Sequence, residues 1–321
     1  MAGYSTAERI ERQEAYRRLA AHAPDMPVFL KPFYLDAVCG PEHWSAALAY
    51  RGSQVVGGLP FFLKRKLCWL YVAMPLLCRF MGPYVLPEFR SVRREIPLLR
   101  ALLCDLPPLA AFEQDFHYMA ANWLPFYWAG FRQTTRYSYT ATLTDLASLQ
   151  ANLAPDYRNS KLPKAAMRVE VHRGGDLRLF YDVHNRSYAR QGLQAPFPFS
   201  LLARLDQALA AQHCREVFWA IDRHTGAPHA VAYVVWDEHS AYYLLAGEDP
   251  TLRNSGAGIL LAWEAMRFAL EELRVATFDF LGSMLPAIER VRRQLGAEPR
   301  PYFRIQKEWS LLWRIGKRLL R

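Results

Sequence analysis

Leu252-Arg253-Asn254-Ser255-Gly256-Ala257-Gly258-Ile259-Leu260-Leu261 joins a glycine-bearing loop to an apolar run, and its reading decides the fold. Upstream, Ser240 to Ala246 reads as a strand; downstream, Ile259 to Leu273 has the i, i+3, i+4 apolar spacing of a packed helix. The loop therefore opens a helix N-terminus, where backbone N–H groups lack intrahelical acceptors and the dipole is positive. Glycines let a ligand approach that backbone closely, so the unit predicts an anion seat, with a pyrophosphate as its natural occupant. The competing reading of so short a glycine pattern is a plain turn and helix cap.

With 321 residues, 52% of them hydrophobic, the chain can bury a sizeable core, most simply as two domains. That composition excludes a disordered or fibrous chain. The first residues run directly into charged helical sequence, without the basic-then-apolar order of a signal peptide, so a cytoplasmic protein is expected. The most apolar stretch, Cys68 to Cys78, is short and interrupted by Pro75, and no membrane-spanning helix is expected. Cys39, Cys68, Cys78, Cys104 and Cys214 are odd in number and lack metal-ligand spacing; they read as buried thiols. No metal site and no tightly bound cofactor are expected.

The net charge of +10 is uneven. Between Pro286 and Arg321 there are ten Lys or Arg against three Glu, and a second basic cluster comprises Arg158, Lys161, Lys164, Arg168 and Arg173. An anionic partner follows: a phosphorylated donor, tRNA, a nucleotide-linked acceptor or a lipid surface, with Arg158 and Lys161 as substrate-binding candidates. A solvated helix face is the plainer explanation of such runs, and no DNA partner is expected.

The halves share a layout. In the first, helices Ala7–Ala21 and Pro32–Val38 precede strands Trp44–Tyr50 and Val55–Leu63 across Arg51-Gly-Ser-Gln54; in the second, helices Leu177–Gln191 and Ser200–Gln212 precede strands Val217–Ile221 and His229–Trp236. After the hairpin they diverge. Where the second has the glycine loop, the first has Met74 to Pro83, whose prolines lack N–H groups, so a phosphate cradle is expected only in the second. The strand Thr135–Leu143 followed by a helical connector from Asp145 places a boundary near Thr144, giving domains 1–144 and 145–308 and a C-terminal segment 309–321.

Arg253-x-x-Gly256-x-Gly258 is similar to the acyl-CoA signature of the GNAT acyltransferases. Tyr34, Gly57-Gly-Leu-Pro60, Gly82-Pro83, Tyr157-Arg158-Asn159, Leu260-Leu-Ala-Trp-Glu264, Phe278-Asp279-Phe280 and Arg292-Arg-Gln-Leu-Gly296 extend the likeness to the tandem-GNAT group. That group includes the Fem peptidoglycan aminoacyltransferases and a FemAB-like acetyltransferase branch of envelope and polysaccharide gene sets. The resemblance spans most of the chain and is best in the second half. It implies a mixed α/β fold of two tandem GNAT-like domains, each a central mixed sheet flanked by helices. The first would be degenerate and shape the acceptor side, and the second would bind the donor, with an acyl group passing to an amine. Acyl-CoA is the expected co-substrate, held by Arg253, Asn254, Ser255, Gly256, Ala257 and Gly258. The acceptor would be a small molecule or lipid-linked. The alternatives are an aminoacyl-tRNA-dependent transferase and a non-catalytic GNAT-fold scaffold in envelope assembly.

Direct attack of an amine on a thioester requires a neutral amine, a polarised carbonyl and a stabilised thiolate, with much of the rate coming from positioning. Many GNAT enzymes carry an acidic tyrosine four residues before a glycine on the last helix. Counting back from Gly296 gives Arg292, which stays protonated and can act only electrostatically. Asp279, between two phenylalanines, points to the opposite sheet face from them. It reads as a general base or as the buried partner of Arg292. Tyr188 is the phenolic candidate, with Tyr242 and Tyr243 as competitors, and Glu248 is a candidate proton acceptor at a turn before Pro250. Trp309 to Arg321 can form an amphipathic helix, with Trp309, Leu312, Trp313, Leu319 and Leu320 opposite the basic residues. It would lie on an anionic membrane or, more plainly, dock on the first domain.

Overall fold

The computed structural model describes residues 4–189, 192–282, 284–310 and 313, and divides into two compact units, residues 1–136 with 301–321 and residues 137–300. The division falls at Arg136/Tyr137 rather than at Thr144, and the chain re-enters the first unit at Pro301, inside the stretch read as the second domain. Both junctions lie inside continuous strands, which leave no linker to read.

In the first unit, α1 (Thr6–Ala21) starts at a capping box in which Ser5 Oγ accepts from the Glu8 N–H and the Glu8 carboxylate accepts from the Ser5 N–H. The short α2 (Pro32–Cys39) leads into an antiparallel hairpin of β1 (Trp44–Arg51) and β2 (Gln54–Lys66). Gly58 lets α1 lie close on this hairpin, since a Cβ there would stand 2.7 Å from the Tyr16 ring. Next come β3 (Trp69–Ala73), the two-residue β4 (Tyr84–Val85) on the edge of β2, and α3 (Val92–Cys104). β5 (Ala111–Phe116) runs parallel to β3, and α4 (Leu124–Trp128) and β6 (Arg132–Thr142) follow.

The second unit repeats this order. After the connector α5 (Leu146–Ala151), α6 (Leu162–Arg168) and β7 (Val169–Arg173), it runs α7 (Leu177–Ala189), α8 (Phe199–Ala211), the hairpin β8 (Arg215–Asp222) and β9 (Pro228–Trp236), and β10 (Ser240–Glu248). α9 (Ala257–Phe268), β11 (Thr277–Asp279) and α10 (Pro286–Gln294) complete it, and β12 (Glu298–Glu308) follows, passing back to the first unit at Pro301. Its sheet order is β7-β8-β9-β10-β11-β6, with β10 and β11 parallel and the other pairs antiparallel. Leu260, Leu261, Ala265, Met266 and Phe268 of α9 form the core on one face with Phe218, Val234, Tyr243, Phe278 and Phe280. The tandem mixed α/β architecture expected from the sequence is present.

The repeats exchange their last strands. Thr140–Thr142 of β6 pair with Thr277–Asp279 of β11 in the second unit, while β12 returns to pair with β5 in the first, Phe303 opposite Phe116 and Glu308 opposite Ala111. Arg304 fixes that register by a two-pronged contact to Asp115 at 2.6 and 2.8 Å.

One expectation changes and one lies largely outside the described residues. Cys68 and Cys104 are exposed rather than buried, because one sits in the β2–β3 turn and the other at the end of α3. Of the segment 309–321, only Trp309, Ser310 and Trp313 are described, so the amphipathic helix otherwise lies outside the described residues. Trp313 itself is buried, its ring 4.6 Å from Tyr71 and 5.9 Å from Trp69.

Candidate active site

In the second unit the parallel pairing of β10 and β11 lasts only from Ser240↔Thr277 to Tyr242↔Asp279; β11 then stops while β10 continues to Glu248. A bulge interrupts the β9 ladder between Tyr243 and Leu245, so Leu244 is the extra residue at the point where the strands part. Beyond Tyr242 the β11-facing edge of β10 has no strand partner among the described residues.

Side chains sort by face. Phe278, Phe280 and Tyr243 point into the core beneath α9, and Arg292 from α10 joins them, its guanidinium 4.6 Å from the Phe280 ring centre and 5.3 Å from that of Tyr243. Arg292 Nε is buried without a hydrogen-bond partner, and burial pulls the group's pKa down against the pull of Tyr243 and Asp279. Burial likewise raises Tyr243, with Glu248 adding to the rise and Arg292 opposing it. Asp279 faces the other way, as the Phe-Asp-Phe alternation requires, and is fully buried. Its Oδ1 accepts from Ser138 Oγ and, at 2.7 Å, from the Leu281 N–H. The expected Asp279–Arg292 ion pair does not form, because the sheet stands between the two side chains.

The loop forms as expected and its amides are engaged. Gly256, at φ 74°, supplies the left-handed turn before α9. The Ser255 and Gly256 N–H groups bond the Leu252 and Arg253 carbonyls, and Ser255 Oγ takes the Ala257 N–H at 3.3 Å. The Gly258 N–H donates to Glu248 Oε1 at 3.1 Å, and Glu248 Oε2 lies 3.2 Å from Arg253 Nε. A Cβ at position 258 would stand 2.0 Å from Glu248 Oε1, so glycine here makes room for a carboxylate. The start of α9 thus caps onto a carboxylate of the chain itself. Of the substrate-binding candidates, Arg158 is exposed, and Lys161 pairs with Asp156 at 3.0 Å; the Lys161 carbonyl borders Gly256.

On the opposite face α7 is clamped to the end of β10. A Cβ on Gly247 would meet His184 Cα at 2.4 Å. His184 Nδ1 bonds the Ala246 carbonyl at 3.0 Å, and Ser187 Oγ accepts from the Glu248 N–H at 2.9 Å and donates to its carbonyl at 3.1 Å. Tyr188 lies half-buried one turn beyond His184, its pKa raised by burial. Thus Glu248, Arg292, Tyr243 and the loop share one face, whereas Asp279 and Tyr188 lie on the other. Sequence reasoning missed His184, Ser187 and Ser138; the polar i, i+3 pair His184/Ser187 on α7 was the available signal.

This succession of helices, hairpin, bulged strand, loop, helix and parallel strand is that of an acyl-group transferase domain. Residues 157–300 match the family model for an acetyltransferase (GNAT) domain, so the second unit carries a GNAT domain. No curated protein matches by sequence. By fold, the chain is similar to FemX, with a TM-score of 0.68 at 13% identity over 94% of this chain and 97% of that one. A tandem GNAT protein from the clavulanic acid biosynthesis pathway gives 0.52 at 15% identity over 96% and 97%. L-PGS from Bacillus licheniformis gives 0.51 at 11% identity over 94% and 93%. The family match thus places a GNAT acyltransferase domain at residues 157–300, and the structural likenesses show a fold shared over nearly the whole chain.

Among the described residues, no helix is long and apolar enough to cross a membrane, and no group of three His, Cys, Asp or Glu side chains forms a metal site.

Proposed function

We propose that the second unit transfers an acyl group, acetyl in the simplest case, from CoA to an amine of a sugar, nucleotide-sugar or cell-envelope precursor. The observation that carries this reading is the Glu248 carboxylate on the Gly258 N–H beside Arg253, which marks the start of α9 as a seat for anions. A donor pyrophosphate carries more charge and would displace Glu248. Its thioester would then run toward the opening between β10 and β11, on the face that holds Arg292 and Tyr243. The amine nitrogen attacks the thioester carbon; the C–N bond forms, the C–S bond breaks, and the electron pair leaves on sulfur. Arg292 stabilises that charge, and the displaced Glu248 accepts the amine proton. The FemAB-like motifs of the sequence support this acceptor class.

A second reading, an aminoacyl-tRNA donor, is favoured by the engagement of the Ser255, Gly256, Ala257 and Gly258 N–H groups within the chain, so that a pyrophosphate must first displace Glu248. Calorimetry of the full chain with acetyl-CoA and with aminoacyl-tRNA tests both. Micromolar binding of CoA alone supports the first reading, binding of tRNA alone the second, and binding of neither leaves a non-catalytic scaffold.

A further inference from the structure

We propose that the first unit carries a docking surface for an anionic lipid bilayer, built on α4 and the end of β12. In α4, Leu124, Tyr127 and Trp128 stand at i, i+3 and i+4 and share one helix face, and they are 47, 59 and 51% exposed while Pro125 and Phe126 are buried. This helix turns its apolar stripe to solvent instead of to the core. Phe131, itself buried, packs under Trp309 with ring centres 5.5 Å apart, and Trp309 is 44% exposed. An exposed apolar patch of this kind marks an interaction site.

The charge around the patch selects the partner. Arg100 of α3 lies 5.1 Å from the Trp128 ring centre, and Lys307 lies 4.9 Å from Trp309 and 5.3 Å from Phe131. Arg93, two turns before Arg100, is exposed, as is Arg132. Arg93 and Arg100 have no ion pair among the described residues. The neighbouring acids are engaged, Glu95 by Asn122 at 2.8 Å and Glu308 by Arg132 at 3.9 Å. Tryptophan and tyrosine settle at the headgroup level of a bilayer, and basic residues beside them attract anionic headgroups.

The test is co-sedimentation of the full chain with phosphatidylglycerol/phosphatidylcholine vesicles and with phosphatidylcholine alone. Binding to the anionic vesicles is expected, with each of Arg93→Gln and Arg100→Gln weakening it about fivefold. Tyr127→Ser with Trp128→Ser should weaken it roughly tenfold, from the apolar area withdrawn from the interface. Circular-dichroism melts should not move, because these side chains are exposed. Four results overturn the proposal: no binding to either vesicle; equal binding to both; binding that survives the α4 pair but is lost on deletion after Trp313; or tRNA binding abolished by the same substitutions without any vesicle binding.

Discussion

Glu248→Gln separates the two roles assigned to one carboxylate. The amide keeps the shape and can still accept from the Gly258 N–H, so only charge is removed. In the free protein, the loss is a negative group at a helix N-terminus, about 0.5 kcal/mol for a side chain roughly a third exposed. For a unit of this size that lowers the melting temperature by about 1–2 °C. In the donor complex the effect reverses. A displaced carboxylate roughly 5 Å from both phosphates of a pyrophosphate repels each charge by about 0.8 kcal/mol in a water-like dielectric, about 1.7 kcal/mol together, so neutralising it should tighten CoA binding roughly fifteenfold. If the same carboxylate takes the amine proton, kcat falls by about a hundredfold while donor affinity rises. Calorimetry and steady-state kinetics on one preparation read both quantities. Unchanged or weaker CoA binding by a folded variant would refute displacement, and tighter binding with unchanged kcat would remove Glu248 as the base.

Arg292→Met should leave the melting temperature unchanged or raised, because Nε is buried without a partner, yet cost at least about a hundredfold in kcat. Arg292→Lys should retain more activity than Arg292→Gln; equal losses in both would reject an electrostatic role. Gly247→Ala should destabilise by about 2–3 kcal/mol in denaturant titrations, since its Cβ would collide with the His184 backbone rather than a movable side chain. Gly258→Ala should be cheaper, because the Cβ meets only the tip of Glu248. Asp222, held near pKa 2 by the Thr225 and His224 N–H groups, sits below its unfolded value, so its contribution is present above about pH 4 and lost as pH falls toward 2. Acid melts of Asp222→Asn should accordingly lose part of the wild-type slope between pH 4 and 2.

The hairpins, the strand beginning at Ser240 and α9 were legible because their apolar period and glycine punctuation are local. Glu248 was harder. Next to Asp249-Pro250 it has the composition of a turn, and only the fold brings it to Gly258, ten residues on. The alternation in Phe278-Asp279-Phe280 gave the face of Asp279 correctly, but Arg292 reaches the sheet from a helix, and which face a helix covers is a tertiary fact. The clamp of α7 on β10 was hidden for the same reason: His184 and Gly247 carry no mutual signal until helix and strand are stacked.

The strand exchange sets an order of events during synthesis. Arg304 and Asp115, which fix the register of β12 on β5, are 189 residues apart in the chain. At the usual 5–20 residues per second, β5 emerges about 10–40 s before its partner exists. Throughout that interval the amino-terminal sheet has an unpaired inner edge, of the kind that templates misassociation. Its closure is a long-range step that waits on translation past Arg304. A nascent chain of this protein is thus a natural client for whatever shields open β-edges, and expressing either repeat alone would make that transient state permanent.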